Sequence, residues 1–333
     1  MATLEITFLQ HQLEERKERL KLAMALRPQN GDLASLLHEV DSALERMDQG
    51  TYGICEECHE PVERSRLLAN PLVRYCLDHL SDSQRKALQR DLDMAAEVQR
   101  RLLPQDNLSV SDWETSYYYA PHGPVSGDYC DLIPCDGRLF FVLGDVSGKG
   151  VAASMLMAQL HALFRSLIGL GLPLGEIIRQ ANRVLCESAL AGQYATLVCG
   201  VANADGDVEI HNAGHLPAIA VQRSGPTHVE SMGFPLGMFL EGDFSVTRVQ
   251  LEAGDTLFLY TDGLSEATCS SGEEYGVDRV TRVVHQQSEL QAARLIAACL
   301  DDLRAFADTP HPDDLTLLAM QRRRSAGASG YAS

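Results

Sequence analysis

The sequence predicts an α+β protein, with a small helical segment ahead of a larger domain of antiparallel sheet and paired helices. Three observations predict it. From Trp113 onward, short apolar runs recur between turn residues, as strands do. The helical patterns gather in pairs between strand runs and do not alternate with them one by one, which argues against a doubly wound parallel sheet. Asp205-Gly206-Asp207 separates two such runs, a hairpin signal that makes them antiparallel neighbours.

Bulk properties narrow the class. At 333 residues the chain is long enough for two domains. Its 28 basic and 46 acidic residues give a net charge of −18, which argues against a nucleic-acid partner. No uninterrupted apolar run reaches membrane-spanning length, so no transmembrane helix or membrane partner is expected. The first residues lack a basic region followed by an apolar core, so they do not read as a signal peptide. Nine cysteines, three of them clustered, are not a disulfide framework and suit a reducing, cytoplasmic setting.

Residues 4–26 are rich in Leu, Glu, Lys and Arg without Gly or Pro, and are read as a helix. Pro28-Gln29-Asn30-Gly31 breaks it, and Asp32 is a candidate N-cap for the next. Leu33, Leu37, Val40, Leu44 and Met47 then share one helix face, which predicts an antiparallel hairpin. After Asp48 to Gly53, Cys55-Glu-Glu-Cys58 and Cys76-Leu-Asp-His79 are separated by seventeen residues. Two pairs with two-residue spacers fit tetrahedral zinc, and thiolate and imidazole ligands select it over magnesium. Four protein ligands (Cys55, Cys58, Cys76 and His79) leave no open position, so one structural zinc is expected. The plainer reading is three buried thiols and a surface histidine.

Ser81-Asp-Ser-Gln84 is a capping box for a helix running to Leu103, where Pro104 stops it. Leu88, Leu92, Ala95 and Leu102 share a face that Gln99 interrupts. That partial stripe fits a homodimer through a short coiled coil, or packing within the chain. Beyond it, strands are expected over 115–120, 138–143, 195–202, 208–212, 218–222, 244–251, 256–260 and 315–320. Helices are expected over 152–169, 174–190, 276–285 and 290–307, with a disordered tail from Arg322. The resulting domains are 1–80, a linker helix 81–104, 105–321 and the tail 322–333.

Aspartates recur at the ends of these strands. Gly144-Asp145-Val146-Ser147-Gly148-Lys149-Gly150 follows one apolar run, and Thr261-Asp262-Gly263 follows another. Gly127-Asp128-Tyr129-Cys130-Asp131 lies upstream, Asn212-Ala213-Gly214-His215 lies between, and Asp313-Asp314-Leu315-Thr316 precedes the last run. Singly, each is an ordinary turn or cap. Jointly, carboxylates at several strand edges suit hard divalent cations. A cysteine phosphatase is disfavoured, because no basic cluster surrounds Cys130 in the sequence.

From about Leu92 to Met320 this ordered set resembles the PPM (PP2C-type) metal-dependent Ser/Thr phosphatases, in particular their bacterial SpoIIE/RsbU-like branch. The resemblance implies a four-layer αββα sandwich and a centre of two Mn²⁺ or Mg²⁺ ions that activates a water for phosphomonoester hydrolysis. It implies that Asp145 bridges both ions, that the Val146 carbonyl completes one, and that Asp262 and Asp313 hold the other. Asp128 matches the acid of the first motif. Asp131, Gly263, Asn212 and His215 are supporting candidates, and Asp314 could share the role of Asp313. His215 is read either as a structural turn residue or as a general acid. Gln99-Arg-Arg-Leu-Leu-Pro104 resembles the branch's entry into the catalytic domain. Ser126 departs from the glycine usual there, and no arginine matches the phosphate-gripping residue of the eukaryotic enzymes. The implied substrate is a phosphoserine or phosphothreonine protein of the anti-sigma-factor antagonist kind.

Ala43-Leu44-Glu45-Arg46, Gly50-Thr51-Tyr52-Gly53, the Cys55/Cys58 pair, Arg66-Leu67 and Cys76 resemble the DksA/TraR-type zinc finger. His79 stands where most members carry a fourth cysteine. The resemblance suggests a regulatory protein partner at the finger. It also suggests an alternative function, a transcription-associated protein contacting RNA polymerase, with the larger domain as scaffold. Against the alternative, the hairpin is short and its tip, near Pro28 to Asp32, carries one acid.

Overall fold

The computed structural model describes residues 3–26, 31–79, 82–188, 192–230, 233–307 and 313–324. Its internal contacts divide the chain into Met1–Asp91 and Leu92–Ser333.

In the first unit α1 (Thr3–Leu26) and α2 (Gly31–Asp48) pack together. Leu9 and Leu13 bury against Val40 and Ala43, and Lys17 Nζ lies 2.7 Å from an Asp41 carboxylate oxygen. Tyr52 closes the cluster from below, its hydroxyl donating to Pro71 O at 2.9 Å. Short α3 (Arg64–Ala69) follows, and Arg66 donates to Tyr75 O at 2.8 Å. Arg46 and Arg74 both grip Glu56, within the finger. The tip residues Pro28 to Asn30 and the Ser81 cap lie outside the described residues, as does the Asp32 side chain.

Helix α4 (Asp82–Arg100) is shorter than expected. Its last residues, through Leu103, form a turn in which Leu102 N donates to Gln99 O. Leu88 is exposed, whereas Leu92, Ala95 and Leu102 are half-buried. The interrupting residue Gln99 is the most buried of the helix's described side chains.

In chain order the second unit then holds β1 (Ser109–Val110), β2 (Trp113–Ala120), β3 (Tyr129–Cys135) and β4 (Arg138–Val146). The pair α5 (Val151–Ile168) and α6 (Leu174–Ser188) comes next. It is followed by β5 (Ala195–Ala202), β6 (Asp207–Ala213), β7 (Ala218–Gln222), β8 (Gly225–Val229), β9 (Thr247–Gln250) and β10 (Thr256–Tyr260). Helices α7 (Asp262–Ser265), α8 (Val277–Gln286) and α9 (Ala292–Phe306) precede β11 (Leu315–Arg322). Two sheets result, ordered β1-β2-β11-β10-β7-β8 and β3-β4-β5-β6-β9, and every strand pairing within them is antiparallel.

Alternation of side chains along the strands builds three apolar layers from these two sheets. Phe141, Leu143, Val198, Leu257 and Leu318 face inward between the sheets, sealed by Trp113, whose indole donates to Asn203 O at 2.9 Å. Tyr129, Phe140, Val142 and Leu197 face outward under α5 and α6. Phe258, Tyr260, Leu315 and Leu317 do the same under α8 and α9. The layers are therefore αββα. Losing one fully buried ring of the central layer, as in Phe141→Ala, would cost about 3–5 kcal/mol.

Several boundaries are corrected. Strand β3 was not anticipated, because Asp131 and Pro134 break its apolar pattern, and β8 carries Gly225 and Pro226 at a sheet edge. Only Thr247–Gln250 of the run 244–251 pairs as β9, since Phe244 and Val246 pack toward the α5–α6 layer. The last strand continues to Arg322, opposite Trp113, so that part of the expected tail is sheet. From residue 325 the tail lies outside the described residues. Among the described residues one helix, α5, is long and apolar enough by length and composition to span a membrane, although Gln159, His161 and Arg165 interrupt its apolar run. Its face of Leu156, Met157, Leu160 and Phe164 packs on the sheet as a core helix.

Candidate active site

Antiparallel pairing brings the start of β3 beside the end of β4, and the end of β10 beside the start of β11. One pair belongs to each sheet, so both deliver their loops to one end of the sandwich. Asp128, Asp145, Asp262, Asp313 and Asp314 stand at those four strand ends.

Close backbone approach fixes their spacing. A Cβ at Gly127 would come within 3.1 Å of an Asp145 carboxylate oxygen and 3.0 Å of Val146 O. A Cβ at Gly263 would strike Asp314 O at 2.1 Å, so α7 can lie against the start of β11 only with glycine there. Asp128 is buried among hydroxyls. Thr261 donates to its Oδ2 at 3.0 Å, and Thr316 donates to the same oxygen in a shorter bond. Thr261 follows β10 and Thr316 lies in β11, so Asp128, at the start of β3, ties the sheets together.

The adjacent acids at 313 and 314 have different partners. Asp314 accepts from the amides of His122 (2.7 Å) and Gly127 (3.0 Å), which holds the loop before β3. Asp313 accepts from Asp314 N at 2.9 Å and from Lys149 Nζ at 2.7 Å. Asp313 therefore keeps a carboxylate directed at the loop after β4.

The electrostatics are those of crowded anions. Burial, then Asp262, Asp313 and Asp314, push the Asp145 carboxyl up to about 7. Burial, then Asp313, raises Asp262. Burial holds Asp128 well above the usual carboxylate range; Thr316 opposes this, and Asp145 and Asp314 add to it. Beside the acids lies a cleft of about 370 Å³, walled by Ser147, Tyr194, Thr196, His215 and Glu266. Burial and Asp262 also raise Glu266.

A donor set of mutually repelling, partly buried carboxylates is what a divalent cation stabilises. Asp145, Asp262 and Asp313 are the carboxylates such a cation would draw together: they act on one another electrostatically but do not converge as closely as the ligands of the finger. The Val146 carbonyl ends the same strand as Asp145.

Residues 135–323, more than half of the chain, match the family model described as Stage II sporulation protein E. The chain belongs to the SpoIIE family. The phosphoserine phosphatase RsbU of Bacillus subtilis is 24% identical over 239 residues, which cover 71% of this chain and 71% of RsbU. Protein IcfG of Synechocystis is 25% identical over 262 residues, 70% of this chain but only 41% of IcfG. This chain therefore spans less than half of IcfG. The SiaA-PP2C domain of Pseudomonas aeruginosa aligns with a TM-score of 0.63 over 72% of this chain and 98% of that domain, at 18% identity, which shows a shared PP2C fold. Residues 50–78 match the prokaryotic DksA/TraR C4-type zinc finger.

In this SpoIIE-family domain the remaining sequence candidates have other tasks. Asp131 is not brought to the acids. It receives a bidentate grip from Arg165 of α5 (2.9 and 2.8 Å), with His161 at 3.5 Å. Asn212 shapes the turn, its Oδ1 accepting from His215 N at 2.9 Å and its Nδ2 donating to Leu216 O at 3.1 Å. Both ring nitrogens of His215 are engaged, Nδ1 with Thr196 Oγ1 at 2.9 Å and Nε2 with Tyr260 O at 3.1 Å. Burial lowers His215 to about 4, so it stays neutral near pH 7. A neutral imidazole whose Nε2–H points at a carbonyl supports the structural reading over the general acid.

Several residues at the site escaped sequence reasoning. Glu266 lies four residues after Asp262, one helical turn, and that spacing was the available signal. Thr261, Thr316 and Ser126 support Asp128, and Ser126 Oγ accepts from Asp128 N at 3.0 Å. Gln99 pairs with the main chain of Ser126, donating to its O at 2.7 Å and accepting from its N at 3.0 Å.

The finger's ligands converge separately in the first unit. Ligand atoms of Cys55, Cys58, Cys76 and His79 all lie within 4.8 Å of one another. Cys58 and Cys76 sulfurs are 3.8 Å apart, and Cys76 Sγ is 3.2 Å from His79 Nδ1. A zinc tetrahedron with bonds of about 2.3 Å has edges of roughly 3.8 Å, so the set fits zinc. Burial would raise Cys55, but amide donors of Cys58, Cys76 and Glu57 outweigh it and hold the thiol at about 6, which favours the ligating thiolate.

Proposed function

We propose that this chain is a metal-dependent protein phosphatase acting on phosphoserine or phosphothreonine. The observation that carries the reading is the set of mutually repelling carboxylates gathered from both sheets, which among the described residues only one exposed lysine meets. RsbU, named a phosphoserine phosphatase, supports the reaction class. Asp145, Asp262, Asp313 and the Val146 carbonyl would hold two Mn²⁺ or Mg²⁺ ions. Bound there, the ions would supply an activated water and neutralise charge on the phosphoryl group.

The chain's own residues do the positioning. Asp128, anchored by Thr261 and Thr316, would be a fourth carboxylate beside the ion site, ordering water held there. Asp314 fixes the loop carrying Gly127, so Asp128 and Asp145 keep their separation. Asn212 shapes the turn that sets His215 in the cleft wall, and neither exchanges protons. The substrate we infer is a phosphorylated regulatory protein of the anti-sigma-factor antagonist kind. Zinc at Cys55, Cys58, Cys76 and His79 would be structural, and a regulatory protein would act through the finger. All nine cysteines are free, in keeping with a cytoplasmic setting.

The test is hydrolysis of a phosphoserine peptide with and without Mn²⁺, for the wild type, Asp145→Asn and Asp262→Asn. Mn²⁺-dependent turnover should fall at least about a thousandfold in either variant. Turnover that ignores Mn²⁺, or survives both substitutions, overturns the reading.

A further inference from the structure

A phosphomonoester brings about two negative charges to the cleft at neutral pH. The cleft walls offer it the carboxyl groups of Asp145, Asp262 and Glu266, none of which attracts an anion. Lys149 stands outside the cleft wall, paired with Asp313 at 2.7 Å, and its charge opposes those of Asp262 and Glu266.

Lys149 lies on the loop between β4 and α5, four residues after Asp145. Gly148 and Gly150 flank it at φ of +92° and +74°, and a Cβ on either would meet nothing within 4 Å. The lysine thus stands on an open turn. Its side chain is 66% exposed, and its ammonium rests 2.7 Å from Asp313 Oδ2. Asp313 is one of the carboxylates assigned to the ions. A divalent cation on Asp313 competes directly with this exposed ion pair, and such pairs hold weakly. The four-carbon stem lets a displaced ammonium turn toward another anion nearby.

We propose that Lys149 grips the phosphoryl group of the substrate, released for that task when a divalent cation takes Asp313. This inference rests on the phosphatase reading. It also answers a gap in the sequence, where no arginine matches a phosphate-gripping residue. The rival role is simpler: Lys149 only neutralises Asp313 and competes with the metal.

The experiment uses the full chain and the variants Lys149→Met and Lys149→Arg. Calorimetry measures Mn²⁺ binding, then binding of inorganic phosphate to the Mn²⁺-saturated protein. Kinetics at saturating Mn²⁺ give KM for a phosphoserine peptide and inhibition by phosphate. Lys149→Met should bind phosphate about tenfold more weakly and raise KM similarly, with a smaller change in kcat. Its Mn²⁺ affinity should hold or rise, and Lys149→Arg should recover most of the phosphate binding. Unchanged phosphate affinity and KM, with only Mn²⁺ affinity altered, overturn the proposal in favour of the rival role. A wild type with no Mn²⁺-dependent turnover overturns the phosphatase reading instead, while phosphate calorimetry still reports on Lys149.

Discussion

Asp128 and Asp131 lie three residues apart at the start of one strand, and both are buried to within about 1%. Their surroundings are opposite. Asp131 faces α5, where Arg165 meets both its oxygens. Asp128 faces the mouth of the sandwich and meets threonine hydroxyls and other acids. A buried carboxylate with an arginine is part of the scaffold. A group of buried carboxylates lacking one is incomplete until a cation arrives. The same contrast separates Asp314, engaged by two amides, from Asp313, held by an exposed lysine.

Four measurements break or sharpen that contrast. The largest effect belongs to the open side. Asp145→Asn should remove Mn²⁺-dependent turnover, yet raise the metal-free melting temperature, because one member of the repelling group is neutralised. A fall in that temperature would place Asp145 with the scaffold.

On the closed side, Arg165→Met leaves Asp131 buried without its partner. Because Arg165 is itself 44% exposed and His161 remains 3.5 Å from Asp131, a loss of about 1–3 kcal/mol is expected, a drop of roughly five degrees in Tm, and of equal size with and without Mn²⁺. Adding Asp131→Leu should restore much of it, and a single variant that melts normally would mean that Asp131 needs no partner.

Stability against pH gives a third test. Asp145 is raised to about 7, so between the ordinary carboxyl value near 4 and about 7 the folded chain holds a proton that the unfolded chain has released. Its contribution is therefore full at low pH and lost as pH rises through about 7. Denaturation in chelator should show stability falling across this window, and excess Mn²⁺ should remove the fall. A metal-free protein that gains stability from about pH 5 to 8 would contradict it.

The smallest effect concerns His215. Since it is neutral near pH 7, His215→Gln should lower stability but leave the shape of the pH–rate profile between about pH 6 and 8 unchanged. Loss of a profile limb there would return His215 to proton transfer.

Much of this was legible in the sequence. The α+β class with antiparallel sheet followed from paired helices between short strands, the family resemblance implied the αββα layers, and the acids stood where apolar runs ended. What was hidden depends on distant chain. Asp313 and Asp314 are indistinguishable until the amides of His122 and Gly127 arrive beside one of them. Asp131 resembles Asp128 until Arg165 comes round on α5. Gln99 reads as a flaw in an apolar stripe until the loop at Ser126 lies next to it. Edge strand β8 was masked by Gly225 and Pro226, because residues that weaken an inner strand are tolerated at an edge.

The Gln99 joint has a consequence for how such domains vary. Its side-chain amide copies a backbone pairing and holds only the main chain at position 126. The joint itself therefore reads only the main chain, and it is the complete burial of position 126 that limits the side chain there. Serine in place of the branch's usual glycine leaves both hydrogen bonds intact, and its hydroxyl supports the amide of Asp128 as well. A fastening blind to residue identity is also portable. An upstream module joined through a helix that ends in this glutamine would inherit a hold on the loop of Asp128 with no matching change in the loop.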